Sequence, residues 1–268
     1  MDKRKLGILI IAIVLVIIIA YIAINNSESK YVNDNDTFVV GFDSEYPPLS
    51  YVVDGKSGGF ELDLAQEIAN RNGWKMVAKE VNWNDKDDEL NSGKIDCYLG
   101  GFSKDGRESD YAWTNQYLSV NQGGIVKSDS NINSITDLAG KRVEVQENTT
   151  MEHYVEEVNK NLTNKIIIDP LVSYRNVDDS ILDDLNSGTT DAIIVDELFA
   201  HNTMQNKSEF KYFVMYSENY AMAFKLGNTD LRDKVQETLN QLYEDGSIIK
   251  LAENYSEYKL QNMIIPNP

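Results

Sequence analysis

The chain has 268 residues, 43 of them acidic and 25 basic, and carries a formal net charge of -18 at pH 7. A surface this anionic repels nucleic acid and anionic headgroups, which excludes nucleic acid as a partner. Cys97 is the single cysteine, so an intramolecular disulfide and a cysteine-based metal cluster are excluded as well.

Lys3, Arg4 and Lys5 precede an almost unbroken apolar run from Leu6 to Ile24. A cleavable signal core has about 7 to 15 apolar residues and a spanning helix needs roughly 20, so residues 1–24 read as an uncleaved transmembrane anchor. The basic residues stay inside and the rest of the chain lies outside the membrane. Cleavage near Ala20-Tyr21-Ile22-Ala23 is the alternative. Residues 25–36 are polar and aperiodic, as suits a tether.

Thr37 to Phe42 reads as a first strand, ended by Tyr46-Pro47-Pro48, and Leu49 to Val53 as a second. Asp54-Gly55 is a turn signal, and Gly58-Gly59 precedes a helix whose apolar face is Leu62, Leu64, Ala65, Ile68 and Ala69. Trp74 to Val81 reads as a strand, Asp85 to Leu90 as a helix and Ile95 to Leu99 as the next strand. This alternation predicts a mainly parallel sheet. A strand begins at Ile125-Val126, and Ile135 to Leu138 forms a short helix closed by Gly140. Arg142 to Val145 reads as a strand, Thr149 to Val158 as a helix, Ile166 to Ile168 as a strand and Val177 to Leu185 as a helix. Tyr220 to Phe224 reads as a strand, followed by helices over Leu231 to Tyr243 and Ile248 to Tyr255. These last elements have no sheet of their own, so the chain is expected to return to its first half.

One phrase occurs twice. Leu90-Asn91-Ser92-Gly93-Lys94-Ile95-Asp96 leads into Cys97-Tyr98-Leu99-Gly100, and Leu185-Asn186-Ser187-Gly188-Thr189-Thr190-Asp191 leads into Ala192-Ile193-Ile194-Val195. Each copy ends a helix on a glycine and enters a buried strand, which predicts two similar α/β lobes. A ligand between lobes touches the chain just past such strands, at Gly100 to Arg107 and at Asp196. Cys97, within a strand, reads as a small buried apolar residue.

Gly41-Phe42-Asp43-Ser44-Glu45-Tyr46-Pro47-Pro48, Gly59-Phe60-Glu61-Leu62-Asp63-Leu64, Val143-Glu144-Val145-Gln146-Glu147-Asn148-Thr149-Thr150 and Asp191 to Asp196 follow one another in the order of a known family. Over about Val39 to Tyr255 the chain resembles the extracytoplasmic amino-acid-binding proteins of ABC importers, solute-binding family 3. The resemblance implies an α/β, two-lobed periplasmic-binding-protein-like fold of type II with two crossover hinge strands, near Tyr117 to Asn121 and Tyr216 to Tyr220. Lobe 1 then comprises residues 37–118 and 219–260, lobe 2 residues 119–218, and residues 261–268 a tail, of which Pro266-Asn267-Pro268 read as frayed. The implied function is a monomeric receptor, without cofactor, that closes on one free amino acid and delivers it to a membrane permease.

A free amino acid presents a carboxylate and an ammonium, both costly to bury unpaired. Arg107 offers a planar fork for the carboxylate. Ser103 adds a hydroxyl and a backbone donor, and is preferred to Phe102 although the segment to Arg107 is one residue shorter than the family pattern. Gly101 offers its carbonyl to the ammonium. The backbone donors of Thr149 and Thr150, at a helix start, suit the carboxylate. Asn148 stands where the family often has glycine, and Asn tolerates a left-handed backbone. Asp196 pairs with the ammonium, and Asp43 is a weaker second anion. Tyr46 and Trp83 fall where the family places aromatic walls, and Gln146 where relatives contact the ligand side chain. Asp96 and Asp191, inside the doubled phrase, read as structural.

Two other readings share the scaffold. A dehydratase needs a proton-transfer group at the ligand, for which Glu147 is the nearby candidate, since His153 and His201 lie far apart. No nucleophile-elbow or metalloprotease motif is present, so the chain reads as a non-enzyme. A membrane-tethered sensor ectodomain needs a separate signalling partner, and a neighbouring kinase or channel gene distinguishes it from transport.

Overall fold

Two five-stranded sheets organise residues 36–171 and 180–266, which the computed structural model describes. The expected anchor, residues 25–35 of the tether, residues 177–179 of an expected helix and the last two residues of the tail lie outside the described residues. Among the described residues no helix is long and apolar enough to cross a membrane.

The chain opens with β1 (Thr37–Phe42), and then β2 (Glu45–Tyr46), β3 (Ser50–Val53) and β4 (Lys56–Gly58) form a small antiparallel sheet. Helix α1 (Phe60–Asn72) ends on Gly73 in the left-handed conformation, and its expected apolar face is buried. There follow β5 (Lys75–Glu80), α2 (Lys86–Asn91), β6 (Cys97–Leu99) and β7 (Tyr111–Trp113). The long strand β8 (Leu118–Lys127) crosses to the second half, which adds β9 (Arg142–Gln146), α3 (Thr150–Asn161), β10 (Ile167–Leu171), α4 (Ser180–Ser187), β11 (Ala192–Asp196) and α5 (Glu197–Thr203). Strand β12 (Phe210–Tyr220) carries the chain back, β13 (Ala223–Lys225) enters the first sheet, and α6 (Thr229–Glu244) and α7 (Ser247–Glu253) pack on α1.

The first sheet has the order β5-β1-β6-β13-β7 and the second β10-β9-β11-β8-β12. In each, one strand runs against the other four: β13 in the first and β8 in the second. Strand β8 is the outward crossing and β13 is the first strand after the return, which explains why sheets read as mainly parallel each hold a reversed strand.

The crossing strands are longer than their sequence suggests. The reading that starts a strand at Ile125 misses Leu118 to Gly124, because Asn121, Gln122 and two glycines mask the strand pattern. The first of these glycines is strictly required: a Cβ on Gly123 would stand 2.0 Å from the Phe213 carbonyl oxygen of β12. Likewise Tyr220 to Phe224 is not one strand, since β12 ends at Tyr220 and β13 begins at Ala223. The two stretches expected as hinges pair with each other, Leu118 opposite Tyr220, Val120 opposite Glu218 and Asn121 opposite Ser217.

The expected tail is packed as far as Ile265, while Pro266, the first of the three residues expected to fray, is exposed. Leu260 is fully buried in a 3-10 turn, and Ile264 forms a bridge to Leu118. The Ser119 N–H donates to the Met263 carbonyl at 2.8 Å, and the Ile265 N–H donates to the Tyr117 carbonyl at 3.0 Å. Strand β8 meets β11 only from Gln122 onward, so at Leu118 its edge needs another partner, and the final segment supplies one.

The doubled phrase has one structural meaning in both halves. Gly93 and Gly188 take φ of 72° and 76°, the left-handed turn that glycine adopts without strain. The Asp96 N–H donates to the Val39 carbonyl, and the Val39 N–H donates back to Asp96 Oδ2 at 2.7 Å. In the same way the Asp191 N–H donates to the Arg142 carbonyl, and the Arg142 N–H donates to Asp191 Oδ2 at 3.0 Å. Each aspartate thus locks the entry of its strand to the parallel neighbour, β6 to β1 and β11 to β9, which agrees with the structural role read from sequence.

Candidate functional site

Four parallel strands end at one crevice. Beyond the carboxyl ends of β1, β6, β9 and β11 stand Asp43, the Gly100 to Arg107 loop, the Gln146 to Thr150 loop and Asp196, which is where open α/β sheets collect ligands. These segments surround a small cavity of about 40 Å³. Its wall includes Asp43, Tyr46, Trp83, Gly101, Ser103, Arg107, Gln146, Thr149, Thr150 and Asp196, all ten residues singled out from the sequence.

On the side of the first sheet, Phe102 and Ser103 divide the labour of adjacent positions. Phe102 is fully buried in an edge-to-face cluster with Trp83, Tyr98, Tyr111 and Trp113, while Ser103 lines the cavity. The aromatic cluster in turn supports Arg107, whose guanidinium lies 5.4 Å from the Phe102 ring centre and 5.7 Å from that of Trp83. Arg107 Nη1 donates to the Ser103 carbonyl at 3.3 Å, and Nη2 donates across the cleft to the Asn148 carbonyl at 3.0 Å. Burial lowers its pKa while nearby Glu218 acts to raise it, and from so high an ordinary value it remains a cation. At Gly101, with φ of 64°, a Cβ would stand 2.2 Å from the Tyr46 ring, so only glycine fits.

On the other side, Thr149 caps α3. Its Oγ1 accepts from the Glu152 N–H at 3.2 Å and donates to the Gln146 carbonyl at 2.7 Å. Asn148 takes φ of 60°, the left-handed conformation expected of an Asn in place of glycine. The helix start presents its unpaired N–H groups and positive dipole end to the cavity, which favours an anion. Asp196 is 1% exposed, and its Oδ1 accepts from the Leu198 and Phe199 N–H groups at 2.8 and 2.9 Å as the N-cap of α5. Burial raises its pKa to about 6, against the lowering effect of those N–H groups and of the Tyr46 hydroxyl.

Glu218 and Tyr220 line the same cavity and were missed in the sequence. They lie two apart on β12, so both face the cleft; a recognised full-length crossing strand would have revealed them. Glu218 accepts from the Tyr216 hydroxyl at 2.9 Å and from that of Thr150, and burial raises its pKa. The Tyr220 hydroxyl lies 3.1 Å from that of Tyr46 and accepts from Gln122 Nε2 at 3.0 Å. Behind the wall, the fully buried Glu61 accepts from the Gly101 N–H at 3.1 Å and from the Tyr117 hydroxyl, with its pKa raised to about 7 by burial. It ties α1 to both the Gly101 loop and the start of β8. Two wall residues, Trp83 and Gln146, hold buried donors, Nε1 and Nε2, without a hydrogen-bond partner, an arrangement that bound polar groups commonly resolve.

The cavity therefore offers a cation and a helix start at one part of its wall and a buried carboxylate at another. Glu147, the candidate for proton transfer, is not in the wall and accepts from Asn84 Nδ2 at 2.8 Å. His153 is 71% exposed at its side chain on α3 and His201 packs on the Tyr258 ring.

The sequence profile of the bacterial extracellular solute-binding proteins, family 3, matches residues 38–258. The arginine-binding extracellular protein ArtP of Bacillus subtilis is 23% identical over 253 residues, 92% of this chain and 96% of its own. The L-cystine-binding protein TcyJ of Escherichia coli is 26% identical over 233 residues, 84% of each chain. Among solved structures, an ancestral arginine-binding protein bound to arginine matches with a TM-score of 0.74 at 28% identity, covering 82% of this chain and 98% of that one. Tv2483 bound to L-arginine matches with a TM-score of 0.78 at 24% identity, covering 88% and 96%, a likeness of fold.

Proposed function

Because the chain belongs to the bacterial extracellular solute-binding proteins, family 3, we propose that it is an extracytoplasmic receptor that binds one free amino acid between its lobes and delivers it to an ABC-type importer. One observation carries this reading: a half-buried guanidinium and a buried carboxylate share the wall of one small cavity between two α/β halves. Arg107, Ser103 and the N–H groups at Thr149 and Thr150 take the ligand carboxylate. Asp196 and the Gly101 carbonyl take its ammonium, and Tyr46, Trp83 and Gln146 surround its side chain. Each hydrogen bond to a charged group contributes about 1.5 to 3 kcal/mol, so a few of them reach the roughly 8 kcal/mol of micromolar binding. The apolar run Leu6 to Ile24 holds the receptor at the membrane, where its partner is the permease, and it acts as a monomer.

The wall holds three carboxylates, Asp43, Asp196 and Glu218, against the one guanidinium of Arg107. A zwitterion neutralises only the Arg107 and Asp196 pair, so the remaining anions favour an amino acid with a cationic side chain. The arginine bound by relatives fits this preference. A thermal-shift series with arginine, lysine, histidine, glutamine and glutamate tests it, since a ligand at 100 times its Kd stabilises by about 2.7 kcal/mol. Basic amino acids should give the largest shifts and glutamate none. Arg107→Ala should abolish binding in calorimetry while leaving the ligand-free melting unchanged within about 2 °C; unchanged affinity would refute the assignment of the site.

A further inference from the structure

At the rim of the cleft, Asn84 reaches across to the other lobe with both ends of its carboxamide. Nδ2 donates to Glu147 Oε1 at 2.8 Å, and Oδ1 accepts from Asn148 Nδ2 at 3.1 Å. None of the three residues lines the cavity, yet each adjoins its wall in the chain. Asn84 follows Trp83, while Glu147 and Asn148 lie between Gln146 and Thr149. The backbone of Asn148 is held in place independently: its N–H donates to Glu152 Oε2 at 2.8 Å and its carbonyl accepts from Arg107. Its side chain therefore has a fixed origin, and the left-handed φ of 60° is one that glycine would also satisfy. What asparagine adds at this position is the carboxamide that meets Asn84.

We propose that Asn84, Glu147 and Asn148 form a closure clasp, a set of positioning residues that raise ligand affinity by holding the lobes together without touching the ligand. The proposal rests on the receptor reading above. Affinity measured at equilibrium includes the cost of reaching the closed form, so contacts made only between closed lobes tighten binding even at a distance from the ligand. The bonds sit in water at the rim, where each is worth little alone. Acting together on one carboxamide, they bias the opening step, and so the release rate, more than the encounter rate.

The test combines Asn84→Ala, which removes both bonds, with Asn148→Gly, which removes one and preserves the backbone. Asn84→Ala should weaken binding of the best amino acid about five- to ten-fold and Asn148→Gly about three-fold, mostly through faster release. The double variant should be no weaker than Asn84→Ala, because the second change removes a bond already lost. A second readout needs no ligand. Cys97 is buried, so spin labels on Asp88→Cys and Glu156→Cys, exposed positions on α2 and α3, report the distance between lobes, and Asn84→Ala should enlarge its long-distance fraction. If the wild type binds an amino acid and the variants match it in affinity, release and distance distribution, the clasp is refuted. Additive losses in the double variant would refute it too. If no amino acid binds while Asn84→Ala still lengthens the distance, the receptor reading fails and takes the effect on affinity with it, and only the holding of the lobes stands.

Discussion

Asp196 performs two tasks with one carboxylate, and the two can be separated. Its Oδ1 caps α5, a task that asparagine also performs, whereas pairing with an ammonium needs the charge. Asp196→Asn should therefore keep the ligand-free stability and lose at least about 100-fold in affinity, the scale of one paired buried charge. Asp196→Ala should in addition lower stability by about 1 kcal/mol through the missing cap. The pH dependence follows from the pKa, raised from 3.8 to about 6. In the ligand-free protein the folded state holds this proton more tightly than the unfolded chain, so the contribution of Asp196 to stability declines as pH rises from about 4 to 6 and is level above. Ligand binding runs the opposite way, because an ammonium pairs only with the ionised form. Affinity should be about tenfold weaker at pH 5 than at pH 7.5, by calorimetry at both values. Asp196→Asn should remove most of that difference, and the remainder belongs to Asp43 and Glu218, whose pKa values burial also raises.

At the level of elements, the doubled phrase is the clearest case of sequence dictating structure. A helix stop on glycine, a two-residue gap and an aspartate place the same two hydrogen bonds at Val39 and at Arg142. Their contributions should differ with exposure. Asp96 is 7% exposed whereas the Asp191 side chain is 38% exposed and also meets Lys141, so Asp96→Ala should cost about 2 kcal/mol and Asp191→Ala about 1 kcal/mol in urea unfolding. An equal loss at both positions would contradict this dependence on burial. Gly101, Ser103, Arg107 and Asp196 were legible for the same reason as the phrase, since they follow strands with clear apolar runs, whereas Tyr46, Trp83, Gln146, Thr149 and Thr150 were placed by the family resemblance. Glu218 and Tyr220 were not legible, because β12 mixes Lys211, Ser217 and Asn219 with its aromatics and a bulge at Met215, between Val214 and Tyr216, breaks its alternation. Propensity fails on such a strand since tertiary pairing with β8, not local preference, holds it extended. Asn84 was equally invisible, as its partners lie more than sixty residues away in the chain.

The molecule as a whole is joined across its cleft by β8, β12 and the segment that follows α7. That segment leaves the first lobe at Leu260, where it is anchored in the core, and pairs with β8 at the crossing itself. Just before it, the Tyr258 hydroxyl donates to Asn202 Oδ1 at 3.0 Å on α5 of the second lobe. Met263 to Ile265 are thus placed where a third, short hinge strand would run, and their removal tests that role. Ending the chain after Asn262 leaves Leu260 in the core and deletes both hydrogen bonds to β8 together with Ile264, which is 8% exposed. Two backbone hydrogen bonds at about 1 kcal/mol each, with partial burial of one isoleucine, amount to about 3 kcal/mol. For a domain of this size the melting temperature should fall by about 6 to 12 °C. The loss should also be local in hydrogen exchange: the Ser119 amide, whose acceptor is the Met263 carbonyl, should lose protection, while the Ile193 and Ile194 amides in the centre of the second sheet keep theirs. A uniform rise in exchange across both sheets would mean that the segment supports the entire core, and unchanged exchange at Ser119 would mean that it does not act as a hinge strand at all.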